Sequence, residues 1–223
     1  HPSVIQFKRV LELHKIPVYV HQTIHGYPTN VDHILSEDGY GTNPFIKTDK
    51  PIVVVSGPGP GSGKMATCLS QIYHEHKRGV KAGYAKFETF PIWNLPLKHL
   101  VNIAYEAATA DLGDYNEIDP FHLESHKETA VNYNRDVAAF PVLKKILIKL
   151  MGDGDMYQSP TDMGVNRVGF AITDDQIVKN AAKAEIIRRY FSYHSEYAAG
   201  SAPKSTTDRI NLILEEVGVS PID

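Results

Sequence analysis

The sequence predicts an α/β protein, with a parallel sheet around a P-loop-like or Rossmann-like βαβ unit and an additional α-helical subdomain. Residues 52–55, IVVV, form a short apolar run of the kind that is buried on both faces of a parallel sheet. A loop with four glycines follows this run, and a helical pattern begins directly after the loop. Helical patterns then dominate the second half of the chain. Together these observations predict the fold class.

The first predicted elements are a helix and a strand. Apolar residues at helical spacing, among them Val4, Phe7 and Val10, predict an amphipathic helix over residues 4–14. Residues 16–20 predict the strand that follows. Because an α/β sheet normally starts with a strand, we expect the N-terminal part of this domain to lie outside the sequence.

A crossover connection is predicted around the glycine loop. Apolar residues recur at helical spacing over residues 64–78, and Gly79 is placed to cap the C-terminus of that helix. Residues 80–87 predict the next strand. The run at 52–55, the helix and this strand would make one right-handed βαβ unit.

The middle of the chain predicts shorter elements. Residues 102–112 fit either a strand or a helix, since their alanine-rich composition does not distinguish the two. Asp119-Pro120 predicts the start of a short helix. Pro141 is placed in the first turn of a helix over residues 142–151.

Two longer helices are predicted towards the C-terminus. Thr173-x-x-Gln176 is a capping box that opens a helix to residue 199, and Ser205-x-x-Asp208 caps a helix that ends at residue 217. We therefore expect an α/β phosphate-binding domain in residues 1–115 and a mainly helical subdomain in residues 116–223.

Composition indicates an ordinary globular protein of the cytoplasm. The 223 residues are 42% hydrophobic and 22% charged, with a formal net charge of -3. This balance gives no reason to expect a nucleic-acid partner, and no apolar run approaches the roughly 20 residues of a membrane span. Cys68 is the single cysteine, which excludes intrachain disulfides and favours a reducing compartment. A homo-oligomer is compatible with the sequence.

The glycine-rich loop is the strongest functional signal. A P-loop reads G-x-x-x-x-G-K-[ST], and Gly63-Lys64 supplies its G-K pair. The first glycine position holds Pro58, and Met65 replaces the hydroxyl that binds Mg²⁺. A strand, glycine loop and helix present backbone amides and the positive end of a helix dipole to an anion. We therefore expect a phosphorylated small molecule, ATP or another nucleotide, with the need for Mg²⁺ left undecided.

The same loop fits two other interpretations. In a second register, Gly61-x-Gly63-x-x-Ala66 matches the dinucleotide fingerprint, and Glu88 would be the acid that binds the ribose. Alternatively, the glycines form a tight turn that only permits close packing of the helix. The candidate binding residues of the loop are Gly57, Gly59, Gly61, Ser62, Gly63, Lys64, Met65 and Thr67.

Two later segments, residues 132–136 and 157–167, are rich in hydrogen-bonding side chains and predict a second wall that faces the substrate. Their candidate binding residues are Arg135, Asp162, Asn166 and Arg167. The arginines would stabilise phosphate charge, and Asp162 together with Asp111 would add charge stabilisation or bind a metal ion. A pair of plain surface loops is the alternative interpretation.

One histidine pair is a weak metal signal. His122 and His126 are spaced i and i+4 on the predicted short helix, but the pattern is not the H-E-x-x-H of zinc enzymes. We therefore expect a solvated helix face at this pair and assign no metal site.

These patterns predict a nucleotide- or phosphate-ligand-binding protein. If it is an NTP-dependent enzyme, Lys64 would neutralise the charge of the transferring phosphate. The alternatives are an NAD(P)-type dinucleotide-binding protein and a non-catalytic phosphate-ligand-binding or assembly protein, which the methionine at position 65 favours.

Several long strings of the sequence resemble those of the bacterial DUF1846 family, a domain of unknown function. They include SGPGPGSGKMATC, NIAYEAATADL, SPTDMGVNRVGFAI and EIIRRYF, and the similarity spans essentially all 223 residues. The resemblance implies that flanking regions, including a C-terminal α/β domain, lie outside this sequence. It implies no catalytic residues, because the activity of the family is not established.

Overall fold

The backbone packs into two compact units. The structure, a computed structural model, describes residues 2–59, 61–87, 90–152, 154 and 156–221. The first unit comprises His1–Tyr84 and Lys144–Asp153, and the second comprises Ala85–Leu143 and Gly154–Asp223. The predicted division into an α/β phosphate-binding domain, residues 1–115, and a mainly helical subdomain, residues 116–223, stays a prediction.

Helices form most of the regular structure in the described residues. The α-helices are α1 Pro2–Leu13, α2 Val31–Ile34, α3 Lys64–Lys77, α4 Leu100–Ala108, α5 Pro120–His126, α6 Asn134–Met151, α7 Pro160–Met163, α8 Asp175–Ala198 and α9 Lys204–Val217. The strands are β1 Lys86–Phe87, β2 Asn116–Ile118, β3 Val131–Tyr133 and β4 Gly164–Val165, and 3-10 turns lie at Tyr40–Thr42 and Val168–Ala171. Within this part of the chain, every helix is too short or too polar to cross a membrane.

The strands pair in two small sheets, both in the second unit. β1 and β4 are parallel, with Lys86 opposite Gly164. β2 and β3 are antiparallel, with Asn116 opposite Tyr133 and Ile118 opposite Val131. The protein is therefore a mixed helical and α/β structure with a small parallel sheet. This confirms the α/β part of the predicted fold class.

The predicted βαβ unit is not confirmed. Residues 52–55 are irregular, and the side chains of Ile52 and Val54 are 79% and 84% exposed instead of buried. Only Lys86–Phe87 of the strand predicted over residues 80–87 is formed, and residues 16–20 form no strand. An apolar, β-branched run favours a strand only when a partner strand lies beside it, and the described residues place none there.

Several helix predictions are confirmed in substance. The helix predicted over residues 64–78 is α3, and Gly79 follows it with a positive φ of 76°. Residues 102–112, which fitted either a strand or a helix, contribute to α4. Asp119 is the N-cap of α5, as predicted, and accepts hydrogen bonds from two amides of its first turn.

Three helix starts differ from the prediction. α6 begins at Asn134, so Pro141 lies inside the helix and not in its first turn. α8 is capped by Asp174 in place of Thr173, because the Asp174 carboxylate accepts from two amides of the first turn. α9 begins at Lys204, directly after Pro203, which places Ser205 inside the helix.

The first unit is held together around α3. Tyr40 and Tyr73, both buried, place their ring centroids 6.2 Å apart and join the first 3-10 turn to this helix. Gln71 pairs with both backbone groups of Ile46, accepting from its amide and donating to its carbonyl. α1 forms as predicted, but none of its residues is buried. The C-terminal residues of the glycine loop are therefore anchored through α3.

The second unit contains a three-helix core. Apolar side chains of α4, α8 and α9 form one buried cluster, in which Ile103, Ile186, Ile210 and Ile213 are at most 1% exposed. Arg209 of α9 pairs with the buried carboxylate of Glu106 on α4. The two small sheets and the helices α5 and α7 belong to the same unit. This core is a rigid support for the polar residues of the second unit.

Candidate functional site

The glycine-rich loop leads into α3 through a strained backbone that only glycine adopts readily. Gly63 is the N-cap of α3 with a φ of 87°, and Gly61 has a φ of 69°. Both values lie in the left-handed region, where a side chain would be unfavourable. The glycines at these two positions are therefore required by the conformation of the loop itself.

The loop glycines do not serve close packing. A Cβ atom added at Gly59, Gly61 or Gly63 would meet no atom within 4 Å in the described structure. At Gly57, by contrast, an added Cβ would collide with the hydroxyl of Ser62. Open space beside three of the four glycines argues against the interpretation in which they only permit the helix to approach a neighbour.

Lys64 and Ser62 close the loop onto itself. The Lys64 ammonium donates to the carbonyl oxygen of Gly59 at 2.7 Å and to Ser62 Oγ at 3.2 Å. The Ser62 hydroxyl donates to the same Gly59 carbonyl at 2.8 Å. The Lys64 side chain thus lies over the loop, where its ammonium is bound by two neutral oxygens.

The backbone amides at the start of α3 are hydrogen-bond donors without acceptors in the described part of the chain. None of the backbone amides of residues 61–65 has a hydrogen-bond acceptor among the residues that the structure describes. The first regular bond runs from the amide of Thr67 to the carbonyl of Gly63. Met65 and Thr67 are half-buried in this first turn. Glu88, the acid of the dinucleotide register, lies outside the described residues.

The predicted second wall lies in the other unit, and the structure gives Arg135 an internal partner. Its guanidinium forms an ion pair with Asp114: Nη2 donates a hydrogen bond to Oδ2 at 2.8 Å, and Nε lies 2.7 Å from Oδ1 without forming a hydrogen bond to it. The Asp114 carboxylate is fully buried, whereas the Arg135 side chain is 48% exposed. Arg135 therefore neutralises a buried carboxylate, and any ligand would compete with it.

Asn166 and Arg167 differ in their surroundings. Asn166 is buried. Its side-chain amide donates to the Pro91 backbone carbonyl at 2.7 Å, and its backbone carbonyl accepts from Trp93 Nε1 at 3.0 Å. Arg167 is exposed, with its guanidinium 5.8 Å from the ring centroid of Phe170. Asn166 thus holds two chain segments together, while Arg167 is accessible to solvent.

Asp162 belongs to a polar cluster that the sequence did not predict as a whole. Ser159 and Asp162 form a reciprocal capping box at the start of α7. Both histidines of α5 face this turn: His126 Nε2 lies 3.0 Å from Asp162 Oδ1, and His122 Nδ1 lies 3.0 Å from Ser159 Oγ. The solvated helix face predicted for this pair is wrong for His122, which is 8% exposed and packs edge-on against Trp93.

The charge on Asp162 is stabilised by its surroundings. Burial opposes ionisation, but the hydrogen bond from His126 and those from the amides of Gln158 and Ser159 hold the pKa of this carboxyl below its usual range. A carboxylate that stays ionised beside two imidazoles can hold a cation. The sequence showed the two histidines but not Asp162 beside them, because the two helices are far apart in the chain.

An apolar cavity lies elsewhere in the second unit. Its volume is 540 Å³, its walls include Phe90, Tyr105 and Ile172, and Glu185 and Arg189 line its charged part. Hydrogen bonds from Arg188 and Arg189 lower the pKa of Glu185 to about 2. Burial of the carboxyl acts in the opposite direction but is outweighed. None of the predicted site residues that the structure describes lines this cavity.

The whole chain matches a known protein family. Residues 1–218 match the family described as "Domain of unknown function DUF1846, N-terminal". The chain belongs to this family. Its description names no activity, ligand or partner.

Two bacterial relatives of this DUF1846 chain come from Clostridium botulinum, and each is named "UPF0371 protein". The protein of strain Alaska E43 / Type E3 is 60% identical over 222 residues, and that of strain Kyoto / Type A2 is 59% identical over 222 residues. Each match covers 100% of this chain and 44% of the relative. The chain therefore spans less than half the length of the curated relatives it matches.

Proposed function

We propose that this region of a DUF1846 protein binds a nucleotide or another phosphorylated small molecule at residues 57–67. The observation that supports the proposal is the row of backbone amides of residues 61–65. These amides have no acceptor in the described structure, and the loop glycines beside them border open space. Phosphate oxygens are the acceptors that such a row of amides binds best.

The helix behind the loop adds to the attraction. α3 is 14 residues long, and its first turn contains no acidic side chain that would compete with an anion. Its dipole places a partial positive charge, equivalent to about half an elementary charge, at the end where the loop lies. An anion at this end is therefore favoured by the amides and the dipole together.

Lys64 would exchange its partners when the ligand binds. Its ammonium now bonds a backbone carbonyl and a hydroxyl, both neutral. A hydrogen bond from an ammonium to a charged phosphate oxygen is roughly twice as strong as one between neutral groups. Movement of the side chain from Gly59 to the ligand is therefore favourable.

The proposal concerns phosphate binding and includes neither a Mg²⁺ ion nor turnover. A thioether is a poor ligand for Mg²⁺, so Met65 cannot take the place of the usual hydroxyl. We therefore propose phosphate binding by amides and Lys64, with NTP hydrolysis as a separate hypothesis for the longer relatives.

The experiment is a thermal-shift panel on the 223-residue chain. ATP, ADP, NAD and pyrophosphate are each compared with adenosine, for the wild type, Lys64→Ala and Lys81→Ala. Lys81 is an exposed lysine of the same unit and serves as the matched control. At a ligand concentration a hundredfold above Kd, binding stabilises the folded state by roughly 2.7 kcal/mol, which such a measurement detects.

The proposal predicts stabilisation by the phosphorylated ligands and not by adenosine, with loss of the effect in Lys64→Ala and its retention in Lys81→Ala. Stabilisation by NAD alone would favour the dinucleotide register. If no phosphorylated ligand stabilises the wild type, or if Lys64→Ala keeps the full effect, the P-loop-like assignment is wrong.

A further inference from the structure

We propose that His122, His126 and Asp162 form a binding site for a divalent transition-metal ion of the zinc class. One nitrogen of each imidazole and one carboxylate oxygen lie within 4.8 Å of one another. Two imidazoles and one carboxylate are a common ligand set for Zn²⁺, and three protein ligands leave a coordination position open. The site is in the second unit, and the proposal is independent of phosphate binding at the glycine loop.

The distances between the three groups are close to those that a metal ion needs. Asp162 Oδ1 lies 3.0 Å from His126 Nε2 and 3.7 Å from His122 Nδ1. In a tetrahedral site with bonds of about 2.0–2.1 Å, neighbouring ligand atoms are about 3.3 Å apart. The two measured distances lie on either side of this value, so small rotations of the side chains would bring the atoms to it.

The three ligands differ in solvent exposure in a way that suits metal entry. The ring of His122 is buried against Trp93, and the Asp162 side chain is 19% exposed. The His126 side chain is 40% exposed and lies at the end of α5. An ion could therefore enter from the His126 side and displace its hydrogen bond to Asp162.

Hydrogen bonds around the ligands fix their orientation. Asp162 Oδ2 accepts from the amides of Gln158 and Ser159, and His126 Nε2 lies 3.1 Å from this oxygen and 3.0 Å from Oδ1. Such outer partners are a regular feature of metal sites.

Asp119 joins the two helices that carry the ligands. Its Oδ1 accepts from the amides of Phe121 and His122 in α5, and its Oδ2 accepts from the amide and hydroxyl of Thr161 in α7. Asp119 is fully buried. It is therefore a positioning residue that acts through the helices and does not bind the metal itself.

Asp162 has no lysine or arginine partner among the described residues. Among the described residues, the side chains that pair with this carboxylate are the two histidines. A half-buried carboxylate with this environment is stabilised by a metal cation. This supports a metal site over a purely structural hydrogen-bond cluster.

The test is calorimetric titration of the EDTA-treated, 223-residue chain with zinc chloride. We expect one Zn²⁺ per wild-type chain. His126→Ala should weaken binding by about 100-fold or more, because even the loss of an outer-shell partner costs about 10- to 100-fold. His76→Ala, which removes an exposed histidine from α3, should bind zinc like the wild type.

A second variant separates metal binding from folding. Asp162→Asn keeps an oxygen that can accept from the amides of Gln158 and Ser159, so its melting temperature without metal should stay close to that of the wild type. Its zinc affinity should still fall sharply, because the carboxylate charge is lost. Absence of zinc binding by the wild type, or wild-type affinity in both His126→Ala and Asp162→Asn, would overturn the proposal.

Discussion

The Asp119 carboxylate accepts a 2.6 Å hydrogen bond from the hydroxyl of Thr161 and thereby links α5 to α7. The same carboxylate caps the first turn of α5. All of these bonds are made by a fully buried side chain. Asp119 is therefore the residue on which the local structure of the polar cluster depends most.

Asp119→Ala should lower the free energy of unfolding by about 2–4 kcal/mol. About 0.5–2 kcal/mol comes from the lost helix cap, and the rest from the amide and hydroxyl of Thr161, which lose their acceptor. The matched control is Asp174→Ala, the exposed N-cap of α8, where we expect about 1 kcal/mol. Urea unfolding of both variants measures the difference; equal losses would contradict the linking role of Asp119.

Arg135→Ala should destabilise the protein by about 2–3 kcal/mol. The change leaves the buried Asp114 carboxylate without its arginine partner, and breaking a buried ion pair typically costs about 3–5 kcal/mol. The expected value is smaller because water reaches the half-exposed guanidinium. Arg167→Ala, which removes an exposed arginine that pairs with no carboxylate among the described residues, should change stability by less than about 0.5 kcal/mol. Similar effects of the two changes in denaturant unfolding would show that the Asp114 pair is unimportant.

Glu185 should contribute to stability in a pH-dependent way. Its pKa is about 2 in the folded protein against an ordinary value of 4.5, so it binds fewer protons folded than unfolded at pH values between these two. Its contribution is therefore present above pH 4.5 and lost as the pH falls towards 2. The wild type should exceed Glu185→Gln in free energy of unfolding at neutral pH, and the gap should narrow over this range. A gap that stays constant from pH 7 to about 2 would contradict the assignment.

Core packing on α8 provides a further matched comparison. Ile186 is fully buried between helices, whereas Ile177 on the same helix is 65% exposed. Ile186→Ala should cost about 2–5 kcal/mol through lost burial and the cavity it leaves. Ile177→Ala should cost less than about 1 kcal/mol, because little buried surface is lost. Thermal or urea unfolding tests this, and comparable losses at the two positions would mean that the three-helix core is wrongly placed.

The helices could be predicted from the sequence more fully than the strands. Helical spacing and caps are local signals, and they located α3, α5 and much of α8 and α9. A strand exists only with a partner that can be anywhere in the chain. β1 pairs with β4, and no local pattern in the sequence predicts this pairing. The strongly apolar residues 52–55 pair with no described strand.

The candidate sites show the same limit. The glycine loop was recognisable because its glycines and lysine are neighbours in sequence, and the structure places Gly61 and Gly63 in the left-handed conformation. For the cluster around Asp162, the sequence showed the His122/His126 pair but not that Asp162 lies beside it. α5 and α7 come together only through tertiary contacts. The S-x-x-D pattern from Ser159 to Asp162, with Pro160 directly after the serine, is a local sign that a helix begins after Ser159.

The most direct test of phosphate binding follows the loop amides themselves. NMR chemical shifts of the backbone amides are recorded for the wild type during titration with ATP, and again with adenosine as the control. Phosphate binding predicts that the amides of residues 61–65 show the largest chemical-shift changes with ATP and that these changes saturate together. Adenosine should leave their chemical shifts unchanged. ATP at millimolar concentration that leaves these five amides unshifted, or shifts only residues outside the loop, would contradict the account.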